Sequence, residues 1–388
     1  MQSPAAMQRQ PVHRIFQISY LRTVVTLLVV AHHTALAYLS AKPPVDGFTT
    51  SLTWTAFPVR DAQRWLGFDL FVGWNDVFFM ALMFFVSGLF VWPGLRRNGP
   101  AKYIGRRLWR LGLPFIVAAG VLAPLAYYPA YLQSGGTGGF SGYVHAWLAL
   151  GKWPAGPAWF LWVLLAFDFV AALVCLVLPR AFEAVAGWVR AAANRPVLLF
   201  LILAVISGIA YVPMAIRFNG LVWWSWGPFF VQTSRVLHYF VYFAMGMCVG
   251  AFGTEIPLLE RTERLARRWW LWGLGMIPAF LAIIVFMMSG KFSGAMMMFP
   301  VSCAASSFFL MAVVIRFAQP SKWMDSLSEN AYGIYLLHYF FVIWMQYAVL
   351  HWPMPALVKF AVVFVAAVGL SWVTTGVLRR SKMIARVV

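Results

Sequence analysis

Negative charge is what this chain most lacks: its 388 residues hold only eleven Asp and Glu against thirty Lys and Arg, and charged residues together make up 11%. A soluble domain carries roughly a quarter charged residues, so that class is excluded. With 62% hydrophobic residues, the chain reads as a polytopic membrane protein. A formal net charge of +19 would suggest nucleic acid in a soluble chain. Here the basic residues fall between apolar runs, where lipid headgroups and topology place them, and no nucleic-acid partner is expected. Cysteine is nearly absent as well. Cys175, Cys248 and Cys303 stand isolated inside apolar runs, with neither metal-ligand spacing nor a disulfide framework, so no metal is expected and the redox compartment stays open. There is no separate soluble domain and no obvious internal repeat.

Apolar runs of about 20 residues, the length of one crossing, occur ten times: near residues 20–39, 70–92, 112–132, 157–178, 197–216, 228–252, 270–289, 295–317, 331–350 and 356–378. The expected fold is therefore all-α, a polytopic membrane helical bundle of about ten transmembrane helices. A tail of residues 1–19 precedes it and a basic tail of residues 379–388 follows. An even number of spans puts both termini on one side. With that side cytoplasmic, twenty-two of the thirty basic residues are cytoplasmic, counting Arg22. The opposite loops hold Lys42, Arg60, Arg64, Lys152, Arg217 and Lys291, while Arg235 and Lys359 lie within spans. The asymmetry fits the positive-inside rule, and the cell (inner) membrane is the expected location.

Of the outer connections, residues 40–69 combine Pro43-Pro44 with Trp54, Phe57 and Trp65, and residues 133–156 are glycine-rich and end in Trp153-Pro154. Together with Trp223, Trp224 and Trp226 they read either as binding surfaces or as an interfacial aromatic belt with flexible connectors.

The first apolar run is entered by Arg22 and interrupted by His32 and His33. On a helix Arg22 and His33 return to one face about 16.5 Å apart along the axis, and His32 projects about 100° away. An ionisable group at that depth is costly and usually functional; the alternatives are an interfacial Arg22 with a packed core His33, or a signal peptide with its small-residue site at Ala35-Leu36-Ala37. Asp76 in the second run lies at about the depth of His33 and would orient its imidazole. Asp168 and Arg235 either form a buried pair or line a cavity. Arg106, Arg107 and Arg110 gather on one helical face before the third run, as an anion site suited to phosphate or as a topology signal. Ser326-Leu327-Ser328-Glu329 has the pattern of a capping box. The helix it would start carries Tyr332, Tyr335 and His338 on one face, a seam suited to a cavity or to interhelical hydrogen bonds.

Five motifs in order resemble the integral-membrane acyltransferase 3 family: Arg22, ten residues, then His33; Phe84-Phe85-Val86-Ser87-Gly88; Arg107-Leu108-Trp109-Arg110 leading into Leu113-Pro114; Gly156-Pro157-Ala158-Trp159-Phe160-Leu161; and Ala331-Tyr332-Gly333-Ile334-Tyr335-Leu336-Leu337-His338. The resemblance covers the whole chain. It implies an O-acyltransferase that takes a short acyl group such as acetyl or succinyl from cytoplasmic acyl-CoA, a co-substrate rather than a bound cofactor. The implied acceptor is a hydroxyl of an extracytoplasmic molecule, commonly a glycan, with the glucan-modifying members as the expected subgroup. Arg22, Arg107 and Arg110 would bind the donor, and His33, with Asp76, would serve as general base or acyl relay. Tyr335, His338, Asp168 and Arg235 would line the cavity. The competing classes are a proton-coupled transporter, for which no convincing pair of broken half-helices is found, and a noncatalytic scaffold, which leaves the polar seam unexplained. Oligomeric state is not readable.

Overall fold

The computed structural model describes residues 12–42, 44–45, 47–48, 56–220, 222–253, 257–261 and 263–387, so the expectations placed on residues 1–11, Pro43 and Trp54 lie outside the described residues. Among the described residues the chain is an all-α polytopic bundle with one small hairpin. Helices overlie each of the apolar runs: α1 Val12–Leu36, α2 Leu66–Gly88, α3 Pro100–Gln133, α4 Trp159–Val177, α5 Pro196–Phe218, α6 Val236–Gly250, α7 Trp269–Met288, α8 Phe292–Phe317, α9 Lys322–Ala348 and α10 Ala356–Leu378. Seven are long and apolar enough to cross a membrane. The three that fall short are α1, α6 and α9. α1 is interrupted by Arg22, His32 and His33, α6 has only 15 residues behind Arg235, and α9 opens on a polar stretch from Lys322 to Asn330.

Close approach of α2 and α6 explains one of the sequence motifs. A Cβ on Gly88 would lie 2.2 Å from the Phe243 carbonyl oxygen, and one on Gly246 would lie 2.0 Å from that of Phe85. Only glycine lets the two backbones touch, the small-residue packing of membrane helices.

α3 is not uniformly α-helical. Two π-helical turns, Leu108–Gly112 and Ala118–Leu122, interrupt it, and the prolines that follow account for the carbonyls they release. Pro114 has no N–H to offer Arg110, and Pro124 none to offer Ala119 in the wider turn. Side chains from elsewhere take both groups: Tyr332 donates to the Arg110 carbonyl, and Trp153 Nε1 to that of Ala119 at 2.7 Å.

Three expectations change. Residues 228–235 are not the start of the sixth span; Trp223–Trp226 and Phe229–Gln232 pair antiparallel in register Trp223↔Gln232 to Trp226↔Phe229, turning at Gly227 with φ of 52°. Residues 133–156 are more than a flexible connector. Helix Gly139–Ala149 buries Tyr143 and Trp147 against Tyr127, Tyr131 and Phe48. The Ser326–Glu329 motif is no cap either, because α9 already begins at Lys322. Ser326 accepts from Trp372 Nε1 at 3.1 Å, and Ser328 meets Thr23 hydroxyl to hydroxyl at 2.7 Å.

The 40–69 connection is tied down at several points. The Asp69 carboxylate accepts the backbone N–H groups of Ser40 and Ala41, and Arg60 and Gln133 exchange two bonds, of 3.0 and 2.8 Å. Asp61 forms an ion pair with Lys359 of α10 at 2.7 Å, with both side chains 1% exposed.

Candidate active site

The site grows out of a parallel seam between α1 and α9. Tyr20 donates to Asp325 at 2.6 Å, Arg22 Nη2 to the Ser328 carbonyl at 3.3 Å, and Thr23 meets Ser328. Further along, His33 meets His338. At the end of α1, where helix carbonyls lack intrahelical partners, the Gln346 amide donates to the carbonyls of His33 and Thr34 at 2.9 and 3.0 Å.

The acceptors fix the proton positions of the two imidazoles. His338 is fully buried and its Nδ1 faces the Tyr335 carbonyl at 2.6 Å. A carbonyl can only accept, so Nδ1 of His338 carries the proton and Nε2 of the neutral ring presents a lone pair. That Nε2 is 3.2 Å from Nδ1 of His33, which also faces the Val29 carbonyl at 2.9 Å. Between two acceptors, Nδ1 of His33 must be the donor. Its Nε2 is then the basic nitrogen, and none of the described residues hydrogen-bonds to it. His33 is also partly exposed, which leaves that nitrogen open to a substrate.

Tyr339 completes the wall. Its ring stands edge-on to His33 at 5.1 Å, and its hydroxyl meets that of Tyr127 at 3.0 Å. Gly156 lets the loop before α4 reach this ring. Its φ is 54°, and a Cβ there would lie 2.9 Å from Tyr339, so any other residue is both strained and blocked. The next carbonyl, that of Pro157, accepts the Tyr335 hydroxyl.

Below the histidines, at the other end of the seam, Arg22 and Arg110 are exposed and repel each other electrostatically. Tyr332 joins the Arg110 backbone to α9. Arg107 stands apart from these two in its partners: its Nε is 2.5 Å from Asp168, a fully buried carboxylate that also accepts the Tyr103 hydroxyl at 2.9 Å.

Two expected pairings are therefore corrected. Asp168 is the partner of Arg107, and Arg235 donates to Asp76, through Nη2 to the carboxylate at 2.6 Å and through Nη1 to the backbone carbonyl at 3.0 Å. Asp76 does not orient His33. It lies on the side of α1 reached by His32, whose ring stacks on Phe79 at 5.0 Å and senses the Asp76 and Arg235 charges. The structure thus brings together His33, Tyr335 and His338, and separately Arg22 and Arg110, while Asp76 and Arg235 stand behind His32. Tyr339, Gln346 and Tyr127 were not singled out in the sequence. Gln346 carried a signal, a lone polar side chain deep in an apolar run.

A family model described as an acyltransferase domain, that of the acyltransferase 3 family, matches residues 15–376. No curated protein and no solved structure matches the chain.

Proposed function

This chain belongs to the acyltransferase 3 family and is a multi-pass membrane acyltransferase; from that premise we propose that it moves a short acyl group from cytoplasmic acyl-CoA to a hydroxyl of an extracytoplasmic acceptor, a glycan of the glucan class. Both termini and Arg22 lie on the cytoplasmic side in this reading, and residues 40–69 and 133–156 lie outside the inner membrane.

The observation that carries the reading is the free Nε2 of His33, with its Nδ1 proton held between the Val29 carbonyl and His338. Nε2 takes the proton of the acceptor hydroxyl as its oxygen attacks the thioester carbonyl. Collapse of the tetrahedral intermediate breaks the carbon–sulfur bond, and the imidazolium returns the proton to the departing CoA thiolate. His338 is a positioning residue. Its Nε2 lone pair faces the proton on His33 and stabilises the ring when it becomes charged. Direct attack is favoured over an acyl-histidine relay because this geometry supplies a base without further rearrangement. Arg22 and Arg110 bind the CoA phosphates, with Arg107 held beside them by Asp168. The rise from Arg22 to His33, about 16.5 Å along α1, is spanned by the pantetheine arm.

Release of the CoA thiol from acetyl-CoA by the purified protein, with a glucan oligosaccharide as acceptor, tests the reading. Hydroxyl-dependent release that disappears in His33→Ala is expected. Release that survives His33→Ala, or needs no acceptor, overturns it.

A further inference from the structure

The hairpin before α6 has one edge that the fold leaves open. Thr233 donates its N–H to the Val222 carbonyl at 3.0 Å. With that register the pairs Trp224↔Val231 and Trp226↔Phe229 exchange hydrogen bonds, and the alternate residues Trp223, Ser225, Phe230 and Gln232 turn their backbone groups outward. On the second strand the outward Phe230 carbonyl accepts Trp162 Nε1 of α4 at 2.9 Å. On the first strand, none of the described residues hydrogen-bonds to the N–H or carbonyl of Trp223 or Ser225. Hydrocarbon cannot satisfy a strand edge, so this one faces water or a polar ligand.

Three indoles stand beside the edge. Trp224 and Trp226 project from one face of the strand, about 7 Å apart, and are 49% and 72% exposed; Trp223 projects from the other face. Residues 219–234 include no charged side chain, so an anionic lipid headgroup would find no counter-charge there. What suits the surface is an uncharged molecule with apolar ring faces for the indoles and hydroxyls for the backbone edge, which is the chemistry of a sugar. The hairpin also adjoins the candidate active site. Trp223 meets Trp159 edge-on at 5.9 Å, and the loop leading into Trp159 lies, at Gly156, against the ring of Tyr339 beside His33.

We propose that this hairpin is an acceptor subsite, which holds a sugar residue neighbouring the one that His33 deprotonates. The inference rests on the glycan-acceptor reading of the site. One residue stacks on Trp224 and Trp226 and bonds the open edge at Ser225, while the reacting residue lies past Trp159. The acceptor it selects is therefore an oligosaccharide, and a single sugar is a poor substitute.

The test compares kcat/KM for acetyl transfer to a glucan hexasaccharide and to glucose, read as CoA thiol release by the purified protein. Wild type should favour the hexasaccharide on the order of tenfold, the worth of one well-packed aromatic contact. Trp226→Ala should bring the ratio close to one, and Trp226→Phe, which keeps a ring, should retain most of it. Ser225→Pro removes an edge N–H that the ladder does not use, and should lower the ratio as well. Because the readout is a ratio, partial misfolding of a variant cannot imitate the result. A wild type without length preference, or a ratio that none of the variants moves, overturns the subsite and leaves the acyl-transfer reading standing. Equal loss on both acceptors overturns it too, and makes the indoles an interfacial anchor or a contact with a second copy. Absence of hydroxyl-dependent thiol release with either acceptor removes the subsite and the reading together.

Discussion

His33 meets His338 across 3.2 Å and keeps its second nitrogen free, whereas His32, one residue earlier on the same helix, lies flat on Phe79 beside the Asp76–Arg235 pair. Around His33, α1 meets α9 through neutral groups in a fixed chain of donors and acceptors. The side that carries His32 answers charge with charge, and Asp168 with Arg107 and Asp61 with Lys359 repeat that pattern elsewhere. Ion pairs in a low-dielectric interior stabilise little beyond an apolar equivalent, but they are very costly to break singly. A chain of neutral groups contributes little to the fold and holds a proton in place. Substitution on the first side should therefore cost activity, and on the second, stability.

The strongest test is on the histidines themselves. His33→Ala should insert and unfold like wild type while acyl transfer falls by a factor on the order of 10² to 10⁴, as for loss of a general base. His32→Ala should lose about 1–3 kcal/mol of stability with its stacking, and turnover per folded molecule should change less than threefold. Stability from thermal unfolding in detergent and turnover from CoA thiol release separate the two. If the pattern were reversed, the division of α1 into two sides would be wrong.

Next in size is the Asp61–Lys359 ion pair. Lys359→Ala leaves Asp61 buried without its counter-charge, and a loss of about 3–5 kcal/mol is expected. Joint replacement with Asp61→Leu and Lys359→Met should recover most of it, since the pair is replaced by apolar volume. A single variant as stable as wild type would show that Asp61 reaches water.

The arginines fall on both sides of the comparison. Arg110, exposed, should affect only the proposed donor: Arg110→Ala is expected to weaken acyl-CoA binding about tenfold, one charge-assisted bond, with the unfolding midpoint unchanged. Arg107→Ala should weaken binding and also destabilise the protein, because it strands buried Asp168. Arg107→Lys should restore stability in part and binding less, for want of the planar fork. Equal behaviour of Arg107→Ala and Arg110→Ala, by titration calorimetry and thermal unfolding, would erase the distinction.

How much of this was legible in the sequence depends on whether local periodicity governs the residue. The helix cores were, because a run of apolar residues long enough to cross a bilayer has few other stable forms. The facing of His33 away from His32 followed from 100° per residue, and the Tyr335–His338 seam from spacing on α9. Partner choice was not legible. Asp76 and Arg235 are 159 residues apart, and depth alone set Asp76 beside His33. The Ser326–Glu329 pattern misled because Lys322 to Asp325 are compatible with helix and extend it upstream, where Tyr20 then takes Asp325.

The smallest expected effect belongs to the charged side and turns on pH. Lys42, in the connection after α1, is 6% exposed and donates to the carbonyls of Leu39 and Gln63 at 3.0 and 3.4 Å. Burial, helped by the Arg64 charge, brings its ammonium down to about 8 from the usual 10.5, against the pull of Asp61 and Asp69. The folded protein then binds this proton more weakly than the unfolded chain does. Between pH 8 and 10.5 the unfolded chain is the more protonated, so stability attributable to Lys42 should rise with pH across that window; below pH 8 the lysine is charged in both states and its full cost is present. The gain should be about 1 kcal/mol, well under the full linkage value because water and the two carboxylates share the site. Other groups titrate in the same range, so the measurement is a difference. Unfolding midpoints at pH 7.5 and 9.5 are compared for wild type and Lys42→Met, and the wild type should gain more on alkalinisation. An equal gain would mean that Lys42 is solvated as an ordinary surface lysine and adds nothing to the other bonds that hold the 40–69 connection, among them those of Asp69, Gln133 and the Asp61–Lys359 pair.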